Sequence, residues 1–144
     1  LFDSILRTPK FKKEEKKIEE ESLKLLKIFS LDKKASETAK NLSYGEQRKL
    51  EIVRALATNP SLLLLDEPAA GMNPQETAEL MDLINWIKEK FNISVLLIEH
   101  DMKLVMGICE KIVVLDYGKK IAEGTPDEIK NNPKVIEAYL GEGA

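Results

Sequence analysis

An α/β fold with parallel strands is the architecture this sequence predicts. Three apolar runs of strand length, at residues 62–65, 93–98 and 112–116, alternate with segments of helical period. The first two runs are almost continuously apolar, the pattern of parallel strands covered on both faces. Strand, helix, strand, helix, strand then implies one parallel sheet with right-handed crossovers.

The elements follow in chain order. Residues 1–10 carry Pro9 and no clear period, so they read as loop or helix remnant. From residue 11 to 30, Ile18, Leu25, Leu26 and Phe29 fall at helical spacing against a polar opposite face. Glu20 and Lys24 stand four apart in the favourable order. Residues 31–41 are polar and read as loop. Ser43 followed by Glu46 has the spacing of a capping box before Leu50, Val53 and Ala57, which predicts a helix over 45–58. Asn59-Pro60 breaks it.

The first strand ends in Asp66-Glu67-Pro68. Asn73 and Pro74 supply an N-cap and a first helical position, and Leu80, Ile84, Ile87 and Phe91 form the stripe of the next helix. Asn92 closes that helix, and the second strand ends in Glu99-His100-Asp101. A short helix over 102–109 precedes the third strand. Tyr117-Gly118 turns the chain into a hairpin, and Thr125-Pro126 and Asn132-Pro133 open two short helices.

Composition narrows the function classes. In 144 residues, 43% are hydrophobic and 33% charged, which excludes a disordered tail. No apolar run is long enough to span a membrane, and no charged-then-apolar leader opens the chain, so a cytosolic location is expected. One cysteine, Cys109, and one histidine leave no internal disulfide and no ordinary zinc site. Net charge is −3, and the base and acid of the first helix are interleaved. That is a solvated face, not a nucleic-acid footprint.

Ligands of parallel α/β sheets bind beyond the carboxyl ends of the strands. Two successive strands here deliver Asp66-Glu67 and His100 to such an edge. One carboxylate can serve a magnesium ion, which prefers hard oxygen ligands, and the other can orient or deprotonate a water. A histidine can donate to a transferring phosphoryl group. Taken singly, each piece has a plainer reading: turn chemistry for Asp66-Glu67, a surface residue for His100, a helix cap for Ser43 with Glu46. For Trp86 and Cys109, packing is the expectation.

Order and spacing together resemble the ATP-binding subunit family of ABC transporters. Leu42-Ser43-Tyr44-Gly45-Glu46-Gln47 resembles the signature motif, and Leu62-Leu63-Leu64-Leu65-Asp66-Glu67-Pro68 the Walker B strand with its catalytic glutamate. Ala69-Ala70-Gly71-Met72-Asn73-Pro74 sits where the D-loop belongs, and Ile98-Glu99-His100-Asp101 matches the switch histidine. Together with the ending Ala138-Tyr139-Leu140-Gly141-Glu142, the likeness is closest to the branched-chain amino acid importer type. Lipopolysaccharide-export ATPases are the alternative.

The resemblance implies the C-terminal part of a P-loop NTPase-type, RecA-like domain. Residues 1–41 would be the tail of the helical subdomain, which docks on membrane subunits, and 42–144 the signature helix with half of the core. Cofactors would be ATP and Mg²⁺. Asp66 would hold Mg²⁺ through water, Glu67 would act as general base and His100 would contact the γ-phosphate. Ser43, Gly45 and Glu46 would meet the ATP of the opposite subunit. Implied partners are a second ATPase subunit, transmembrane permease subunits and, indirectly, a substrate-binding protein, at the cytoplasmic face of the membrane; nucleic acid is not among them.

This sequence departs from the family pattern in four ways. Tyr44 and Glu46 replace the commoner Gly and Gln of the signature, and Asn73 stands where many members have Asp. The seven glycines include no Gly-x4-Gly-Lys-Ser/Thr, so the 144 residues hold no phosphate loop. The only glutamines, Gln47 and Gln75, leave no Q-loop before the signature. Two explanations fit: the C-terminal part of a normal subunit, or a short, inert module lending its signature helix to a complete partner.

Overall fold

The computed structural model describes residues 8–140, with side chains to 139. The chain divides into two units, Leu1–Leu63 and Leu64–Ala144. The expected loop at residues 1–7 and the Gly141-Glu142 end lie outside the described residues.

In the first unit, helix α1 (Pro9–Ile28) starts two residues earlier than the sequence period shows. Pro9 takes the first helical position, where its missing N–H is no loss, and Thr8 caps the turn by accepting from the Phe11 N–H at 3.3 Å. No side chain within α1 is buried; Ile18 of the expected stripe lies exposed and Phe29, just past the end, is buried. Glu20 pairs with Lys16 at 3.9 Å, not with Lys24. Residues 31–41 are not simple loop: Asp32–Lys34 and Ala39–Asn41 each form one 3₁₀ turn. Helix α2 (Tyr44–Leu56) buries Ile52, Val53 and Leu56, whereas Leu50 is half-covered and Ala57 exposed. The buried stripe is thus displaced from the expected Leu50–Val53–Ala57 row. Ala57, beyond the last turn, is a cap rather than a face residue.

In the second unit, β1 (Leu62–Asp66, entering from the unit boundary) pairs with β2 (Ser94–Ile98). The Glu67 N–H donates to the Ile98 carbonyl at 2.8 Å, so both strands finish side by side and run parallel. Helix α3 (Pro74–Phe91) crosses between them and buries Thr77, Leu80, Ile84 and Ile87. Its expected fourth stripe member, Phe91, is half-buried, with its ring edge-on to Trp86 at 6.1 Å. Asn92 ends the helix in the left-handed conformation, which Asn tolerates better than most residues.

Helix α4 (Met102–Ile108) lies on α3, its Leu104 fully buried and the Met81 methyl group directly over Gly107. Strand β3 (Ile112–Asp116) pairs antiparallel with β4 (Lys119–Gly124), with Ile112 opposite Gly124 and a bulge between Val114 and Leu115. Helices α5 (Pro126–Lys130) and α6 (Pro133–Leu140) cover this hairpin through Ile129 and Val135 around Ile112 and Ala122. Cys109 packs against the same cluster, and burial raises its thiol pKa, as befits an inert residue.

Two expectations are corrected here. The strands do not form one three-stranded parallel sheet: among the described residues, β3 pairs with β4, and β1–β2 is a separate ladder. A two-residue turn suffices to close the hairpin, whereas a parallel neighbour needs a crossover connection. Nor are the strands covered on both faces. Leu64, Ile98 and Leu115 are 65%, 61% and 67% exposed, with Leu96 and Val113 similarly bare. Their alternate neighbours are better covered. No helix among the described residues is long and apolar enough to cross a membrane.

This contrast sets a test. Ile87→Ala, in the fully buried stripe, is expected to lower unfolding free energy by about 2–5 kcal/mol. Leu96→Thr, on the bare face, is expected to change it by less than about 0.5 kcal/mol. Urea denaturation followed by circular dichroism measures both. Sedimentation velocity is expected to show less self-association for Leu96→Thr than for the parent chain.

Candidate functional site

The carboxyl ends of β1 and β2 form the first group of candidate residues. Leu62–Leu65 are all aliphatic, and the chain turns sharply after Asp66, because Glu67 adopts a left-handed conformation with φ of 44°. A non-glycine residue there costs about 1–2 kcal/mol. The turn closes with bonds from the Ala70 N–H to the Glu67 carbonyl and from the Met72 N–H to the Ala69 carbonyl. His100 lies two residues beyond the end of β2. Its Nδ1 lies 3.5 Å from Glu67 Oε1, and both side chains are more than half exposed. The structure therefore brings Glu67 and His100 together at an open edge.

Asp66 is also exposed at this edge. No group of three or more metal-ligating side chains is assembled among the described residues. A single hard-oxygen carboxylate fits magnesium bound through water and phosphate oxygens, since that ion keeps several waters and seldom uses a protein cage. The segment at 69–74 leads into a well-built cap. Asn73 Oδ1 accepts from the N–H groups of Gln75 and Glu76, and Glu76 Oε2 accepts from Asn73 N–H.

The second group, Ser43, Gly45 and Glu46, belongs to the first unit and opens α2. Glu46 Oε2 accepts from the Ser43 N–H and hydroxyl at 3.0 Å, while Ser43 Oγ accepts from the Glu46 N–H at 3.4 Å. Lys34 Nζ donates to both Glu46 oxygens, at 2.7 and 2.9 Å. The Glu46 carboxylate is therefore committed to the cap and to Lys34. Hydrogen bonds from Lys34, then Ser43, lower its pKa to about 2. Gly45 faces open space: an added Cβ would meet nothing within 4 Å. Packing within the chain gives no reason for glycine there, although alanine favours a helix by up to about 1 kcal/mol. Arg48 stacks over Tyr44, with its guanidinium carbon 5.1 Å from the ring centroid, and donates to the phenol oxygen.

Sequence reading missed the part played by Lys34. Its partner lies twelve residues away with a 3₁₀ segment between, so no helical spacing could reveal the pair. It also assigned no separate task to Glu99, whose position beside His100 was its only local signal.

A family model described as ABC transporter matches residues 3–70. A second, described as branched-chain amino acid ATP-binding cassette transporter, matches residues 119–144. The high-affinity branched-chain amino acid transport ATP-binding protein LivG of Salmonella typhimurium is 50% identical over 142 residues, 99% of this chain and 56% of LivG. The chain is thus similar, over nearly all of its length, to ATP-binding subunits of ABC transporters. BraF of Pseudomonas aeruginosa, named likewise for branched-chain amino acid transport, is 49% identical over 96% of this chain and 54% of its own length. The solved ADP conformation of MJ1267, an ATP-binding cassette of an ABC transporter, superposes with a TM-score of 0.79 at 33% identity, over 88% of this chain and 51% of that one. A nucleotide-free ABC cassette gives 0.79 at 34% identity, over 98% and 56%. The chain thus spans about half the length of the curated relatives it matches.

The cap has a definite pH signature. A carboxylate with a lowered folded-state pKa stabilises the fold above its unfolded value and stops doing so as pH falls through the folded one. For Glu46 the contribution is complete above pH 4.5 and is lost as pH approaches about 2. Residue-resolved NMR of the Ser43 and Glu46 amides is expected to follow that titration, and Glu46→Gln to abolish it. Ser43→Ala is expected to cost about 1 kcal/mol of helix stability.

Proposed function

We propose that these residues supply the hydrolytic strand edge and one signature half-site of an ATPase that drives branched-chain amino acid import. The observation that carries the reading is the meeting of Glu67 and His100 at the carboxyl ends of two parallel strands. The relatives named for branched-chain amino acid transport support the solute class, as does the family match over 119–144. That C-terminal match also favours this class over lipopolysaccharide export.

Glu67, held by its turn at the edge, orients the attacking water and accepts its proton. His100 donates to a γ-phosphate oxygen, where charge develops as the bond breaks. Asp66 would hold Mg²⁺ through water, and the ion would supply positive charge to offset that of the phosphates. Ser43 and Gly45, at a helix N-terminus with its free amides, meet the nucleotide held by the opposite subunit, and the open space over Gly45 lets phosphate approach the backbone. Glu46 acts indirectly by fixing that N-terminus. Asn73 keeps the D-loop turn in place through its cap.

In this reading residues 1–41 belong to a subdomain that docks on permease subunits at the cytoplasmic face of the membrane. The second ATPase subunit completes each nucleotide site, and a substrate-binding protein delivers the amino acid to the permease.

Two measurements test it. Calorimetric titration of Mg-ATP into the 144-residue chain is expected to show no binding at millimolar nucleotide, because no phosphate loop lies within it. Saturable, magnesium-dependent binding would contradict that. In the assembled ATPase, Glu67→Gln is expected to slow turnover by about 10²–10⁴-fold, the range for loss of a general base. Near-normal turnover would remove Glu67 from the role.

A further inference from the structure

We propose that Glu99 is a positioning residue that locks the Glu67 turn to the His100 turn and so sets the spacing of the two groups. This rests on the hydrolytic reading of Glu67 and His100 given above. The side chain of Glu99 is only 1% exposed, although it is a carboxylate between the open His100 and the end of a strand. A buried carboxylate is tolerated where donors replace the water it has lost. Three backbone N–H groups do so here. Oε1 accepts from Ala69 at 2.9 Å, across thirty residues of chain, and Oε2 accepts from His100 at 3.0 Å and Asp101 at 3.4 Å. His100 Nδ1 stands 3.8 Å from the same Oε2.

The placement of these bonds gives the function. Ala69 and Pro68 are buried, and Ala69 is the middle of the turn that begins at Glu67. Pinning its amide fixes the path of the chain two residues beyond Glu67. The other oxygen fixes the peptide that carries His100. One carboxylate therefore spans both turns, whereas the Glu67–Ile98 backbone bond acts one step earlier, at the strand ends. Glu99 is too deeply buried to touch a nucleotide, so its effect on hydrolysis passes through Glu67 and His100. The two turns move as one piece, and any displacement of the D-loop turn is felt at His100.

Two substitutions separate this from general stabilisation. Glu99→Asp keeps an acceptor for the nearby His100 and Asp101 amides but is one methylene too short for Ala69. Glu99→Gln keeps the shape and sets an amino group against one of the donors. Amide exchange by NMR in the 144-residue chain reads the lock directly. Ala69 is expected to exchange at least about tenfold faster in Glu99→Asp, with His100 and Asp101 still protected and the stripe of α3 unchanged. In the assembled ATPase, both variants are expected to lower kcat by about tenfold or more with KM for ATP within about twofold.

Unchanged Ala69 exchange in both variants would overturn the proposal, as would normal kcat once the Ala69 bond is lost. So would a raised KM at constant kcat, which would make Glu99 a contributor to ATP binding instead. If Glu99→Asp fails to fold, the isosteric Glu99→Gln decides by the same two readouts. Glu67→Gln run in parallel separates the layers. Its normal turnover would end the hydrolytic reading, and Ala69 exchange would still decide whether Glu99 couples the turns.

Discussion

A single backbone hydrogen bond, from the Glu67 N–H to the Ile98 carbonyl, governs the strand edge. It makes β1 and β2 finish level, so residues that follow either strand emerge at one place. Without that alignment, Glu67 and His100 would be two unrelated polar residues 33 positions apart in the chain. Helix α3 supplies the crossover connection that a parallel pair of strands requires. Side-chain chemistry at the edge is thus a consequence of main-chain register.

Helix α2 is organised differently. There the controlling element is a carboxylate, Glu46, which closes the first turn on Ser43 and reaches Lys34 in the preceding segment. The bond to Lys34 sets the entry of α2 against the 3₁₀ turn before it. A helix N-terminus prepared in this way keeps its amides in place while leaving Gly45 uncovered. The residue that departs from the commoner family pattern is therefore the one that builds the cap.

Much of this was legible in the sequence, for identifiable reasons. Caps at Ser43, Asn73 and Thr125 were readable because the bonds span only three residues. The α3 stripe was readable because its period continues for three turns. The pairing of β3 with β4 announced itself through Tyr117-Gly118. What failed was any inference about faces and edges. An aliphatic run such as 62–65 reports that a strand is suited to cover on both sides, and it cannot say which residues supply the cover. Long-range polar contacts failed for a similar reason: Lys34 to Glu46 and Glu99 to Ala69 join positions with no shared periodicity. Order and spacing point to the candidate residues, but not to the connections between them.

Strain at the site and strain at the hairpin are separable, which matters for anyone wishing to harden this protein. Glu67 and Tyr117 both hold φ of 44°. Glu67 is in the left-handed region with a side chain aimed at His100, so relief there would disturb that pair. Tyr117 is 98% exposed and is followed by Gly118 at φ of 75°, the two central positions of a tight turn. Asparagine before glycine is the pair such turns favour. Tyr117→Asn therefore offers an engineering handle worth about 1 kcal/mol, placed in a different turn from the one that carries Glu67.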